Sequence, residues 1–311
     1  MGRPLRIEYP SAFYHVTARG NEQREIYKSI ADRERFLDYL ASATKRYGAV
    51  IHVWCFMSNH YHLLLETPAG NLSQIMRHIN GAYTNYFNTK HRRAGHLFQG
   101  RYKAILVERD AYAMELSRYI HLNPVRAGMS ERPEDYSWSS YRHYVGEKSA
   151  PVWLHREEIL GHFDGDEQRY RGFVEDGLKF DVTSPLEGAL ASTILGGGKF
   201  VKEIEALHLS GVLPTRDLPS LRQLRYRWSV DDIIATVEKN LNVEKSLARK
   251  VGMYLCHHYS GATLRDIGEK FGVGESAVSQ GSRRMQDKLA EDEALRGEID
   301  LICRILGVVN V

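Results

Sequence analysis

Cysteine and long hydrophobic runs are both scarce in this chain. The three cysteines, Cys55, Cys256 and Cys303, are far apart and odd in number, which argues against a disulfide framework or a paired-cysteine metal site. No apolar run approaches the roughly 20 residues of a membrane-spanning helix, and the first residues lack the apolar segment of a secretory signal. The sequence therefore predicts a cytoplasmic protein with reduced thiols and no membrane partner.

Charge of one sign does not dominate the chain, because the formal net charge is only +3 over 311 residues. One cluster of basic residues nevertheless lies between positions 90 and 109, where Glu108 is the only acid. The members of this cluster are Lys90, Arg92, Arg93, Arg101, Lys103 and Arg109. Such a run indicates a polyanionic partner, although a solvated basic loop has the same composition.

The spacing of apolar residues predicts a mixed domain over residues 1–130. The predicted strands lie at 9–19, 50–57, 60–67 and within 89–107. The predicted helices lie at 31–47, 71–87 and 110–123, the last capped by Asp110 and stopped by Pro124. This order favours an α+β fold in which a small antiparallel sheet carries helices on one face.

The rest of the chain is expected to be mainly helical. Residues 131–220 predict a mostly helical extension, with a pattern over 184–209 that three glycines interrupt, followed by a linker at 211–220. Residues 221–311 predict an all-α domain. In that domain a glycine turn at 272–274 separates two helices, which is the helix-turn-helix pattern.

Two histidines, His60 and His62, lie one residue apart inside an apolar run. Residues two apart in a strand point to the same face, so this spacing places two imidazoles side by side. Two adjacent imidazoles on a rigid element provide half of a divalent metal site. A pair of this kind is by itself more often structural, so the interpretation needs a second element.

Tyr119 and Asn123 provide the second element. They are four residues apart in the predicted helix before Pro124 and therefore share a helical face. A carboxamide oxygen suits Mg²⁺ or Mn²⁺, and a neighbouring tyrosine could attack a phosphodiester that the metal polarises. Taken alone, Tyr119 would be one packing tyrosine among 18 and Asn123 an ordinary helix terminus.

Five segments together carry a family resemblance, at residues 2–10, 14–21, 57–64, 98–103 and 119–128. In this order they resemble the single-tyrosine transposases of the HUH superfamily, and more closely the REP-associated tyrosine transposases of the IS200-like group. The resemblance implies a ferredoxin-like fold and cleavage of single-stranded DNA near a hairpin. It also implies that His60, His62 and Asn123 bind the metal and that Tyr119 is the nucleophile. Tyr61 departs mildly from the bulky hydrophobic residue usual between the histidines.

The same resemblance implies that the opening segment helps to read a short guide sequence, which makes Arg3 and Arg6 candidate DNA contacts. Arg19 is a further candidate. Arg101 and Lys103 are predicted to alternate on a basic strand that faces the phosphate backbone. The alternative is an exposed basic edge strand.

A second resemblance covers roughly residues 225–306. Segments 248–255 and 267–272 resemble the duplex-binding C-terminal domain of the replication initiator DnaA, whereas 275–279 departs from the recognition signature of that family. The candidate contacts to a groove and its phosphates are Ser276, Ser279, Gln280, Arg283 and Arg284. The alternative is a helical packing module with a solvated basic face.

Together these features predict a DNA transposase that nicks and rejoins single-stranded DNA at hairpin-flanked sites through a 5′-phosphotyrosine. The C-terminal domain would hold duplex DNA. Two alternatives stay open: a catalytically idle DNA-binding regulator, and a replication initiator or relaxase that uses the same chemistry. The sequence also leaves open a monomer or a homodimer that exchanges the tyrosine helix.

Overall fold

The structure, a computed structural model, describes residues 6–179, 184–209, 229–241, 243–260 and 262–306. These residues form two compact units, one within 6–209 and the other within 229–306. Across the described ranges, no helix is both long enough and apolar enough to cross a bilayer. Arg3 and the linker predicted at 211–220 lie outside the described residues.

The first unit is built on a five-stranded sheet with the order β2-β3-β1-β4-β5. Its strands are β1 Ala12–Arg19, β2 Val50–Phe56, β3 His60–Thr67, β4 Lys103–Val107 and β5 Ile194–Leu195. The first four strands pair antiparallel in the ferredoxin-like arrangement, which confirms the predicted fold class. The two-residue strand β5 was not predicted and pairs parallel to β4.

Helices cover both faces of this sheet. Helix α1, Ile30–Tyr47, and helix α2, Leu72–Lys90, occupy one face, where Phe36 of α1 packs on Phe56 and Tyr61. Helix α3, Arg109–Arg126, packs on the other face in a core shared with Leu64 of β3. The expectation of helices on one face therefore holds for α1 and α2 and is wrong for α3.

Both predicted end signals of α3 are wrong. Its N-cap is Glu108, and Asp110 lies inside the first turn, where it accepts a hydrogen bond from Arg109 Nε at 3.2 Å. The helix continues through Pro124, whose fixed φ is compatible with helical backbone although its ring removes one backbone hydrogen bond. The chain leaves the helix at Gly128, whose φ of 66° is the left-handed conformation that glycine adopts readily.

The segment after residue 130 packs on α3 and on the sheet. It contains α4 Tyr141–Tyr144, α5 Glu157–Gly161, α6 Glu167–Lys179, β5 and α7 Gly198–Ile204. Tyr141, Tyr144 and Tyr170 are fully buried in the core that also holds Ile120 of α3. The helical pattern expected over 184–209 is only partly correct, because β5 precedes α7 there.

The second unit is all helical over its described residues. Its helices are α8 Val230–Asn240, α9 Lys245–Tyr259, α10 Leu264–Phe271, α11 Glu275–Glu291 and α12 Glu293–Ile305. Helix α10 ends at Gly272, which has a φ of 59°, and Gly274 is the N-cap of α11. A Cβ on Gly268 would lie 2.5 Å from the carbonyl oxygen of Val273, so the tight turn requires glycine at that position.

Candidate active site

The histidine pair lies at the start of β3, on the sheet face that α3 covers. The ring centroids of His60 and His62 are 5.0 Å apart, so the structure brings the two imidazoles together as predicted. Their antiparallel partners on β1 are Arg19 opposite His60 and Thr17 opposite His62. Directly opposite residues in an antiparallel pair share a face, which places Arg19 beside the histidines.

Hydrogen bonds hold one nitrogen of each ring. Nδ1 of His60 lies 2.7 Å from Oδ1 of Asn59, and Nδ1 of His62 lies 2.9 Å from Nε2 of His15. An amide oxygen can only accept, so Nδ1 of His60 carries the hydrogen and its Nε2 carries a lone pair. Burial lowers the pKa of His60 to about 4 and holds the pKa of His62 well below its usual range, so both rings are neutral near pH 7.

Nε2 of His62 is a buried nitrogen without a hydrogen-bond partner among the described residues. A buried polar atom in this state carries a desolvation cost that a bound cation would offset. Of the residues that the structure describes, no three His, Cys, Asp or Glu side chains are arranged to hold a metal ion. A metal at this site therefore requires a ligand of another type, and an amide oxygen is suitable. The two neutral imidazoles, one with a buried unpartnered nitrogen, thus fit part of a divalent cation site.

Tyr119 on α3 faces the histidines. Its ring centroid lies 6.1 Å from that of His62 and 6.5 Å from that of His15. One turn later, Nδ2 of Asn123 donates to the carbonyl oxygen of Tyr119 at 3.0 Å. A carbonyl only accepts, so the amide NH₂ must point along the helix, and Oδ1 remains available as an acceptor. The partly buried Tyr119 and Asn123 thus share a helical face, as predicted.

Two residues near Tyr119 were not predicted as site residues. His15 is 2% exposed and bonded to His62, although its position on β1 predicts only a sheet-face residue. The guanidinium carbon of Arg126 lies 5.6 Å from the centroid of the Tyr119 ring. The signal for Arg126 was its spacing, because residue i+7 returns to the same helical face. A cation at this distance interacts favourably with the aromatic ring.

A buried hydrogen-bond network holds α3 on the side opposite Tyr119. Nδ1 of His121 lies 2.7 Å from the hydroxyl of Tyr170 on α6, and its Nε2 lies 2.8 Å from Oγ of Ser140. Tyr170 also donates to Oγ of Ser117 at 3.0 Å. Burial lowers the pKa of His121 to about 3, so this ring is neutral. The network connects the tyrosine helix to the segment after residue 130.

The candidate DNA contacts of the first unit occupy two places. Lys103 pairs with Thr17, so it lies in the same row and on the same face as His62. Arg101 precedes β4, so the prediction that it alternates with Lys103 on one strand is wrong. Arg101 instead lines a cavity of about 720 Å³ together with Arg6. The guanidinium carbon of Arg6 lies 4.2 Å from the ring centroid of Tyr102 there.

In the second unit, the candidate duplex contacts lie on α11. Ser276, Gln280, Arg283 and Arg284 are exposed and Ser279 is partly buried. The opposite face of the helix buries Val278, Ser282 and Met285. The structure therefore presents the candidates on the side of α11 that faces away from the core of this unit.

Part of the first unit matches a known protein family. Residues 8–123 match the family model described as "Transposase IS200 like". The match includes His60, His62, Tyr119 and Asn123.

Two solved structures are similar to this chain. A REP-associated tyrosine transposase solved with a REP hairpin is 16% identical, with a TM-score of 0.41 over 50% of this chain and 92% of that chain. A candidate transposase from Deinococcus radiodurans R1 is 18% identical, with a TM-score of 0.27 over 39% of this chain and 95% of that chain.

A second group of similar proteins consists of replication initiators rather than transposases. The chromosomal replication initiator proteins DnaA of Rickettsia canadensis and Rickettsia rickettsii are each 31% identical over 134 residues. The similarity covers 39% of this chain and only 28% of each DnaA protein.

Proposed function

We propose that this protein cleaves and rejoins single-stranded DNA at hairpin-flanked sites, with Tyr119 as the nucleophile. The observation that carries the proposal is the approach of the Tyr119 ring to within 6.1 Å of His62, inside the segment that matches the IS200-like family. A phenol beside two neutral imidazoles and an amide has the composition of a metal-assisted phosphoryl-transfer site. The hairpin preference comes from the sequence resemblance.

His60, His62 and Asn123 would hold Mg²⁺ or Mn²⁺. When bound, the cation would withdraw charge from the scissile phosphate. The protein contributes the orientation of the ligands, because Asn59 holds the His60 ring and the backbone of Tyr119 holds the Asn123 amide.

The chain's own nucleophile performs the cut. The phenolic oxygen of Tyr119 gives up its proton and attacks phosphorus, the bond from phosphorus to the 3′-oxygen breaks, and the leaving oxygen takes up a proton to become a 3′-hydroxyl. The DNA is then joined to Tyr119 through its 5′-phosphate. A 3′-hydroxyl that attacks the same phosphate reverses these bond changes and releases Tyr119, so the bond energy is conserved and rejoining needs no nucleotide cofactor.

Basic side chains surround this chemistry. Arg126 lies over the Tyr119 ring, and Arg19 and Lys103 lie on the sheet face of the histidines. Positive charge at these positions attracts the DNA backbone and favours the charge that develops on the transferred phosphate. Arg6 and Arg101 would contact the strand elsewhere, at the cavity that they line.

The second unit would bind duplex DNA through α11. Exposed polar and basic residues on one helical face, after a short glycine turn, are typical of a recognition helix. The sequence resemblance of residues 225–306 to the duplex-binding domain of DnaA supports this role. The helix-turn-helix would then hold the enzyme on DNA next to its single-stranded target.

Covalent trapping tests the proposed function. Single-stranded hairpin oligonucleotides from the DNA flanking the gene are incubated with the protein and Mn²⁺ and resolved on a denaturing gel. The wild type is expected to form a protein–DNA adduct and Tyr119→Phe to form none. Tyr112→Phe, which changes a partly buried tyrosine on the same helix, is the matched control and is expected to form the adduct.

Two results would contradict the proposal. An adduct that persists in Tyr119→Phe would assign the nucleophile elsewhere. A wild type that binds the hairpins but forms no adduct would favour a DNA-binding regulator instead.

A further inference from the structure

The contact between His15 and His62 is the basis of a further inference. His15 lies on β1 two residues before Thr17, the direct partner of His62, so it reaches His62 diagonally across the sheet. Nε2 of His15 lies 2.9 Å from Nδ1 of His62, and the two rings stack with centroids 5.2 Å apart. Their side chains are 2% and 6% exposed.

The direction of this hydrogen bond determines which nitrogen of His62 carries the hydrogen. A neutral imidazole has one N–H and one lone pair, so one of the two facing nitrogens must donate to the other. If His62 donates through Nδ1, its Nε2 carries a lone pair. If His15 donates instead, Nε2 of His62 carries the hydrogen and cannot bind a cation. The two arrangements share the same heavy-atom positions, but only the first allows Nε2 of His62 to bind a cation.

His15 itself is poorly placed to be a ligand. Its Nε2 is engaged by His62, and within the described ranges no group of three His, Cys, Asp or Glu side chains could hold a metal. The atom that lacks a partner is Nε2 of His62. A ligating histidine is commonly held through its other ring nitrogen by an acceptor, which fixes both the tautomer and the ring orientation.

We propose that His15 is a positioning residue that accepts the Nδ1–H of His62 and so directs the Nε2 lone pair of His62 toward the metal. The inference rests on the proposed function, since it assigns His62 as a ligand. It extends that function to a residue on another strand, outside the proposed set of metal ligands. His15 would play for His62 the part that Asn59 plays for His60.

Two substitutions distinguish a hydrogen-bond acceptor at position 15 from a side chain that only packs there. His15→Gln keeps a side-chain oxygen that can accept the Nδ1–H of His62. His15→Phe keeps an aromatic ring and the burial but removes the acceptor. Mn²⁺ binding to the full chain is measured by calorimetry with the metal alone. We expect an affinity roughly 10- to 100-fold weaker for His15→Phe, and an affinity for His15→Gln that stays close to that of the wild type.

A second readout does not depend on the metal. Long-range ¹H–¹⁵N correlation spectra of the metal-free protein report which ring nitrogen of His62 carries the hydrogen. We expect the Nδ1–H form in the wild type and in His15→Gln, and a mixture of both forms in His15→Phe. His52→Phe is the matched control, because His52 is another imidazole buried in the same sheet, at 3% exposure. It is expected to leave both readouts unchanged.

The outcomes distinguish this inference from the proposed function. Hydrogen on Nε2 of His62 in the wild type would overturn the inference, as would wild-type Mn²⁺ affinity in His15→Phe. Equal weakening by a folded His15→Gln and a folded His15→Phe would also overturn it, because acceptance would then be irrelevant. If the wild type binds no Mn²⁺, the metal part of the proposed function fails, and the inference fails with it whatever the tautomer of His62.

Discussion

Nδ1 of His121 lies 2.7 Å from the hydroxyl of Tyr170, and this bond ties the helix that carries Tyr119 to α6. Both side chains are completely buried. Because His121 follows Tyr119 by two residues, its ring points to the side of α3 opposite the face that carries Tyr119. The segment after residue 130 therefore acts on the site by holding the back of the tyrosine helix.

Removal of the Tyr170 hydroxyl should destabilise the first unit. In Tyr170→Phe the buried Nδ1 of His121 loses its partner, and we expect the free energy of unfolding to fall by about 1–3 kcal/mol. Urea denaturation followed by tryptophan fluorescence measures this change, since Trp54, Trp138 and Trp153 all lie in the first unit. Tyr112→Phe serves as the control on α3, and an unchanged midpoint for Tyr170→Phe would contradict the role of the network.

Acid should also destabilise the first unit, because several of its histidines are buried. An unfolded imidazole has a pKa of about 6.5, whereas burial lowers the pKa of His52 to about 4 and that of His121 to about 3. As the pH falls from about 6.5 toward 4, the histidines bind protons in the unfolded state but stay neutral in the folded state. The stabilisation is therefore complete above pH 6.5 and is lost progressively below it.

His52 offers a clean measure of this effect, since it lies outside the proposed site. Each such histidine contributes at most about 1.4 kcal/mol per pH unit to the slope of the unfolding free energy. His52→Phe should reduce that slope between pH 5 and pH 6 by close to one proton, measured by the same denaturation at several pH values. Identical slopes for the two proteins would show that His52 titrates normally in the folded state.

The sequence predicts the parts of the site that depend on local spacing. His60 and His62 are two residues apart in a strand, and Tyr119 and Asn123 are four apart in a helix, so their shared faces follow from geometry. The contact of His15 with His62 depends on the register between β1 and β3, which no local pattern fixes. Because long-range pairing decides register, the local pattern around His15 indicates only a sheet-face residue.

Two errors in the predicted elements have equally physical causes. Pro124 predicts a helix stop, but the helix continues through it to Arg126, and Gly128 supplies the actual end. Strand β5 has only two residues, too few for an alternating pattern. It forms because β4 offers an open edge, so only the tertiary structure reveals it.

Substitutions of Asn123 should separate its role as a ligand from its role in the helix. Asn123→Leu has a similar volume and no donor atom, and we expect its Mn²⁺ affinity to fall on the order of 10-fold or more. Asn123→Asp retains a hard oxygen and should bind more tightly than Asn123→Leu. Calorimetric titration with Mn²⁺ compares the three proteins, and wild-type affinity in Asn123→Leu would exclude Asn123 from the ligand set.

Loss of the Arg126 charge should slow the cut without preventing it. The guanidinium lies 5.6 Å from the Tyr119 ring, close enough to interact with a phosphate under attack. We expect Arg126→Gln to form the adduct roughly 10-fold more slowly, which corresponds to about 1.4 kcal/mol in the barrier. Arg126→Lys keeps the charge and should recover part of the rate. Equal rates for wild type and Arg126→Gln, measured by quenched time points on denaturing gels, would remove Arg126 from the mechanism.

Arg283 and Arg284 on α11 should contribute to duplex binding through the phosphate backbone. Both are exposed, so removal of either charge should leave the fold intact. For Arg283→Gln and Arg284→Gln we expect weaker binding to a random-sequence duplex and a salt-dependence slope reduced by about 1 for each phosphate that is no longer neutralised. Fluorescence anisotropy at several salt concentrations measures both quantities. Lys239→Gln, which removes an exposed charge from α8, should keep the wild-type slope. If all three variants show the same slope as the wild type, α11 does not face the DNA, and its basic residues are simply solvated.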